Sequence, residues 1–105
     1  MAGGGKPDLN RLQLTATVLE CEPLRYTPAG LAVQDMLLAH ESEVIEAGLP
    51  RQISLTIPAV AMGDLARMLA GTPLGAALRI EGFLMPTRKG SNRLRLHMQQ
   101  AAPME

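Results

Sequence analysis

Within the eight residues from Arg88 to Arg95 the chain carries Arg88, Lys89, Arg93 and Arg95, and no Asp or Glu falls between Gly82 and Gln99. Positive charge without acidic neighbours suits one task above others. It binds the phosphates of a polyanion and displaces their condensed counterions, with little regard to base identity. Arg93, Arg95 and His97 alternate with Leu94, Leu96 and Met98, the period of a strand with one buried face and one open face. The preceding segment, Pro86–Asn92, sets Arg88 and Lys89 next to Gly90, so a basic loop leads into a basic strand face. A groove that follows a single nucleic-acid strand needs such a surface. The plain alternative is a solvated, charged face with no ligand.

Other chemistry finds few residues to carry it. His40, His97 and Cys21 are scattered, with no close pair on a shared turn, so no metal site is expected. Glu41, Glu43 and Glu46 read as a solvated edge or as charges that keep an exposed strand from pairing with another chain. There is no Gly-rich phosphate loop and no nucleophile elbow. The expectation is a non-enzyme with no cofactor and no small-molecule substrate.

The totals bound the rest. A chain of 105 residues makes one domain and buries roughly 60–68% of its unfolded surface without disulfide or metal support. Ten basic and ten acidic residues cancel to a formal charge of zero, yet the acids gather at Glu41–Glu46 and the bases at Arg88–Arg95. The surface is therefore expected to be dipolar. The single cysteine, Cys21, excludes an internal disulfide and is compatible with a reducing compartment. No apolar run approaches the roughly 18 residues of a membrane span, and no leader is evident, so a cytoplasmic location is expected.

The elements that must present the cations can be read in order. Leu12, Leu14, Ala16 and Val18 alternate with polar residues through Leu9–Glu20, a first strand. Tyr26–Gly30, with Pro28 set for a turn, leads into a second, curved strand from Leu31 to about Glu43. Ile53, Leu55 and Ile57 mark a third strand that Pro58 is expected to end. Ala61, Leu65, Met68 and Leu69 predict a short helix within Val60–Ala70. Leu78, Ile80, Gly82 and Leu84 form a fourth strand, with Gly82 at a sharp bend, and the basic strand is the fifth. This order predicts an all-β chain: a five-stranded Greek-key barrel of the OB-fold, with one short helix between strands three and four. Residues 1–8 are expected as a flexible leader, 9–99 as the barrel and 100–105 as a frayed tail. An unprotected first-strand edge along Arg11–Thr17 predicts pairing with a second copy.

Several segments carry a family resemblance. N-R-L-Q-L-T-A-T-V (Asn10–Val18), P-L-R-Y-T-P-A-G-L (Pro23–Leu31), H-E-S (His40–Ser42), E-A-G-L-P-R-Q (Glu46–Gln52) and E-G-F-L (Glu81–Leu84) resemble primosomal replication protein N, the PriB family, itself similar to bacterial single-stranded DNA-binding proteins. The resemblance implies a homodimeric OB-fold that binds single-stranded DNA. It also implies work with the primosomal helicase PriA and a helicase-loading primosome protein when stalled forks restart. Matched to the family's basic contacts are Arg88, Lys89 and Arg93, and Arg51 matches an Arg in the A-G-x-x-R-Q segment. Some members carry aromatic residues where this chain has Leu49 and Ser54, and a basic residue in place of Glu41. With only Tyr26 and Phe83 aromatic, this chain should bind more through phosphates than through stacking.

Several residues keep two readings. Arg95 faces either DNA or a partner subunit. Tyr26 either stacks a base or packs half-buried beside its turn. Arg25 and Arg11 are candidate cations at the groove edge, and Phe83 packs on the sheet or at an interface. The rival function is a protein-interaction OB module bridging primosome proteins, with only incidental DNA contact.

Overall fold

Alternation along β1 (Leu12–Cys21) turns Leu12, Leu14, Ala16 and Val18 inward and leaves Gln13, Thr15 and Thr17 exposed. The structure, a computed structural model, describes residues 8–104. The first half of β1 pairs antiparallel with β5 (Ala77–Pro86), from Leu12↔Gly82 to Thr17↔Ala77. Its second half crosses to β3 (Ala32–Glu46), pairing from Thr17↔Ala39 to Cys21↔Met36 around a register break between Val18 and Glu20. One strand thus serves two ladders, which closes a curled sheet.

β2 is only Arg25–Tyr26, laid against Val33 and Ala32. β4 (Leu49–Met62) returns from β3 through Ala47 and Gly48, both left-handed at φ 52 and 79, the signature of a tight hairpin turn. After α1 (Asp64–Leu69) and β5, β6 (Leu94–Pro103) pairs antiparallel with β5 and meets β4 in parallel at Ala59↔Leu96 and Val60↔His97. The order is β1-β5-β6-β4-β3-β2 with β1 also joined to β3. This is the expected OB-fold barrel: the five long strands are β1, β3, β4, β5 and β6, and the helix lies between the third and fourth of them. Leu38, Ile80 and Leu96, each 1% exposed or less, centre the core. Burying one such side chain contributes about 1.5–3 kcal/mol.

Four local expectations are corrected. Pro58 does not end the third strand. β4 runs through both Pro50 and Pro58, which pair with Ile45 and Leu37 where β6 is not yet alongside. An edge position tolerates a residue without an N–H. Val60–Met62, expected as the start of the helix, completes β4, because barrel closure against β6 outweighs the weak local preference of Val60-Ala61-Met62. On α1 the buried residues are Ala66 and Leu69, while Met68 is 74% exposed. Finally, residues 100–103, expected in a frayed tail, continue β6, with Ala101↔Ile80 and Pro103↔Leu78 in register. Residues 1–7 of the expected leader and Glu105 lie outside the described residues.

Gly82 marks the bend foreseen for it. A register shift separates Glu81 from Gly82, and a Cβ at Gly82 would collide with the His97 carbonyl oxygen of the neighbouring strand. The expected open edge of β1 is half open. β5 covers one side, and on the other His40 Nδ1 donates to the Thr15 carbonyl at 2.6 Å, leaving the backbone around Gln13 without a strand. Beyond His40 and Leu55, β3 and β4 pair only with each other and form an arm whose tip residues Ile45 and Leu49 are 68% and 58% exposed.

Candidate nucleic-acid interface

The β5–β6 connection, Thr87–Arg93, is a short basic loop with a defined base. The Thr87 amide donates to the Arg93 carbonyl at 2.8 Å, and the Ser91 amide donates to the Arg88 carbonyl at 3.0 Å. The second bond closes a four-residue turn whose third residue, Gly90, has φ 81, the conformation a type II turn reserves for glycine. The turn holds Arg88 and Lys89 out into solvent, and Arg93 is exposed at the opposite foot. Arg95 is half-buried and donates from Nη2 to the Thr87 carbonyl at 3.2 Å, so it braces the loop from the strand. One of its five donors is spent and the rest remain available.

Charge pairing separates the candidates. Among the described residues the ion pairs are Arg11–Glu81 at 3.4 Å, Arg25–Asp35 at 2.7 Å, Arg51–Glu46 at 3.2 Å and Arg67–Asp64 at 2.7 Å. None involves Arg88, Lys89, Arg93 or Arg95. Arg25 reaches both Asp35 oxygens, and the hydrogen bond and charge of Asp35 raise its pKa further above its already high value. A phosphate would have to compete with that carboxylate. Arg51 lies on the β3–β4 arm and is paired with Glu46 at 3.2 Å. Tyr26 is 57% exposed beside the β2–β3 turn. The loop cations and Arg95 therefore stand together without carboxylate partners among the described residues, while Arg25 and Arg51 are paired and Tyr26 carries no charge.

Register brings a further pair together. Asp35↔Val60, Val60↔His97 and His97↔Phe83 form one rung across β3, β4, β6 and β5, and directly paired residues share a face. On this outer face Phe83 and His97 stack, with ring centroids 5.1 Å apart and planes 20° from parallel. Burial, with a smaller push from the Arg95 charge, lowers the His97 pKa, so the ring is neutral near pH 7. The next rung on the same face is Met85↔Arg95, so the stacked rings adjoin the basic cluster. Strand alternation placed His97 on the open face, but nothing local indicated Phe83 as its partner. That pairing depends on the bulge at Gly82.

A closed barrel of this topology is the OB-fold, and the basic loop between its last two strands has no ion-pair partner among the described residues. Residues 10–100 match the family described as "Another single-strand binding protein family". The chain is 58% identical over 93 residues to the replication restart protein PriB of Bordetella pertussis, covering 89% of this chain and 87% of that one. It superposes on the PriB structure from Ralstonia solanacearum with a TM-score of 0.83 at 34% identity, over 93% of this chain and all of that one. The single-stranded DNA-binding protein of Thermus aquaticus aligns with a TM-score of 0.73 at 26% identity, over 92% of this chain and half of that one. The chain belongs to the replication restart protein PriB family.

Proposed function

We propose that this protein is a non-catalytic, single-stranded DNA-binding accessory factor of replication restart. The β5–β6 loop holds the strand, with Arg88, Lys89 and Arg93 contacting phosphates and Arg95 fixing the loop's foot. One observation carries this reading: among the described residues these cations have no carboxylate partner, on a barrel whose relatives are named for replication restart and for single-stranded DNA binding. In such folds the loop between the last two strands and the face of the second and third long strands bind nucleic acid. Arg25, Tyr26 and Arg51 are secondary contacts, reached once a strand leaves the loop. The protein acts in the cytoplasm, where it assists a PriA-type helicase and a helicase-loading primosome protein. It is a homodimer joined along the open side of β1. No described helix is long and apolar enough to cross a membrane.

Titration of labelled single- and double-stranded oligonucleotides at two salt concentrations tests the central statement. Single strands bind, duplex competes poorly, and affinity falls steeply with salt. Equal affinity for duplex, or salt-independent binding, is the contrary result.

The exposed arm favours a second, compatible reading, an interaction module that bridges primosome proteins. Val44, Ile45 and Leu49 stand 44%, 68% and 58% exposed at its end. Replacing Ile45 and Leu49 with Ser would then weaken binding to the purified helicase and spare oligonucleotide affinity. Loss of both activities together would count against a separate protein-binding arm.

A further inference from the structure

We propose that Phe83 and His97 form a base-stacking platform, against which one nucleobase seats from the strand whose phosphates the β5–β6 loop holds. The inference rests on the single-strand reading of that loop and extends it from the backbone to the bases. The pair lies on the outer face and takes no part in the hydrophobic core, so core packing does not account for two stacked rings there. Beside them is an open recess of about 320 Å³, bounded by Val60, Met62, Leu65, Phe83, His97 and Gln99. That volume is at the low end of the roughly 300–1,000 Å³ found for small-ligand sites. Its lining suits a base. Val60 supplies a buried apolar floor, Met62 is 45% exposed and adaptable, and the exposed Gln99 offers an amide to a base edge.

Continuity with the loop selects the occupant. Arg93 immediately precedes β6, Arg95 and His97 follow on one face, and they pair with Met85 and Phe83. A strand anchored on the loop cations and turning down this face meets the rings on the rung after Arg95. Nucleobases stack on aromatic faces without sequence preference, and Phe83 is the only phenylalanine in the chain. A neutral His97 ring extends the aromatic surface and adds no charge of its own, so the platform contributes to affinity without steepening the salt dependence.

The test compares a thymidine oligonucleotide with an abasic deoxyribose-phosphate oligomer of equal length, at fixed salt. Wild-type protein is expected to prefer the base-bearing strand by about 5- to 150-fold for one stacked base. Phe83→Ala is expected to bring that ratio close to one and to keep the wild-type salt slope. Phe83→Trp keeps the ratio, and its emission is quenched by the base-bearing strand and not by the abasic one. Circular dichroism and melting temperature confirm that both variants are folded. A wild-type ratio in folded Phe83→Ala, or an unquenched Phe83→Trp, overturns the platform and leaves the loop reading intact. Failure of wild-type protein to bind either oligomer removes the loop reading and the platform with it.

Discussion

Replacing Arg88, Lys89 and Arg93 together with Ala removes the exposed loop cations and spares the brace. Arg95 is kept, because its Nη2 bond to the Thr87 carbonyl at 3.2 Å holds the loop to the strand. Each phosphate contact on a single strand contributes about −0.7 to the slope of log K against log salt, so three lost contacts make the slope shallower by roughly 2. Between about 50 and 200 mM salt, wild-type protein would therefore lose roughly 18-fold more affinity than the variant. The difference between them is greatest in dilute salt and shrinks as salt rises. Because all three side chains are exposed and lack ion-pair partners among the described residues, the melting temperature should hardly move. The assay is fluorescence anisotropy with a labelled thymidine oligonucleotide across a salt series. A folded variant that keeps the wild-type slope refutes the reasoning, since the phosphates would then be bound elsewhere.

The other predictions probe separate parts of the molecule. Asp35→Asn frees Arg25 from its carboxylate at 2.7 Å and should steepen the salt slope by about 0.7; no change would place Arg25 off the strand's path. Gly82→Ala drives a methyl into the His97 carbonyl oxygen, backbone against backbone, and should cost about 3 kcal/mol or more, lowering the melting temperature by roughly 12 °C or more; a melting curve like wild type would contradict the close approach of β5 and β6. Since the His97 pKa is lower folded than unfolded, the unfolded chain takes up more protons in the interval between the two values. Its contribution to stability is complete above the unfolded value of about 6.5 and is lost as pH falls through the folded value. Denaturant midpoints of Asn or Gln substitutions at His97 should accordingly depend less on pH between about 7.5 and 5 than those of wild type, and parallel profiles would dismiss His97 as the source. Sedimentation at micromolar concentration should give twice the 11.2 kDa chain mass; a monomer would remove the proposed β1 pairing.

The barrel was legible wherever one face is buried against one core. In β1, β5 and β6 the buried set Ala16, Val18, Leu78, Ile80, Leu96 and Met98 falls at every second residue, because each strand has water on its other side. Legibility fails where a second neighbour decides. Pro58 breaks a central strand but is acceptable beside a single ladder, and only the parallel rung Ala59↔Leu96 reveals that β6 arrives one residue later. Residues 60–62 have neither a decisive helical nor a decisive strand pattern, so closure of the barrel settles them. Ala101 and Ala102 have no propensity for a strand that outweighs fraying; the open hydrogen-bonding side of β5 supplies one.

The same distinction governs the site. Lack of acid near the loop cations is a property of consecutive residues, so their availability could be read along the chain, and the structure adds the turn at Gly90 and the brace from Arg95. Arg25 was a candidate at the groove edge and Arg51 a match to the family's A-G-x-x-R-Q segment, yet Asp35 reaches Arg25 because β2 folds back on β3. Glu46 reaches Arg51 across the hairpin that pairs Glu46 with Leu49. Free charge is thus a nonlocal quantity: a cation separated from carboxylates in sequence becomes a phosphate ligand only if register does not bring one back to it. By that criterion the cations of the β5–β6 loop, which share it with Thr87, Ser91 and Asn92 and with no carboxylate, stand unpaired among the described residues.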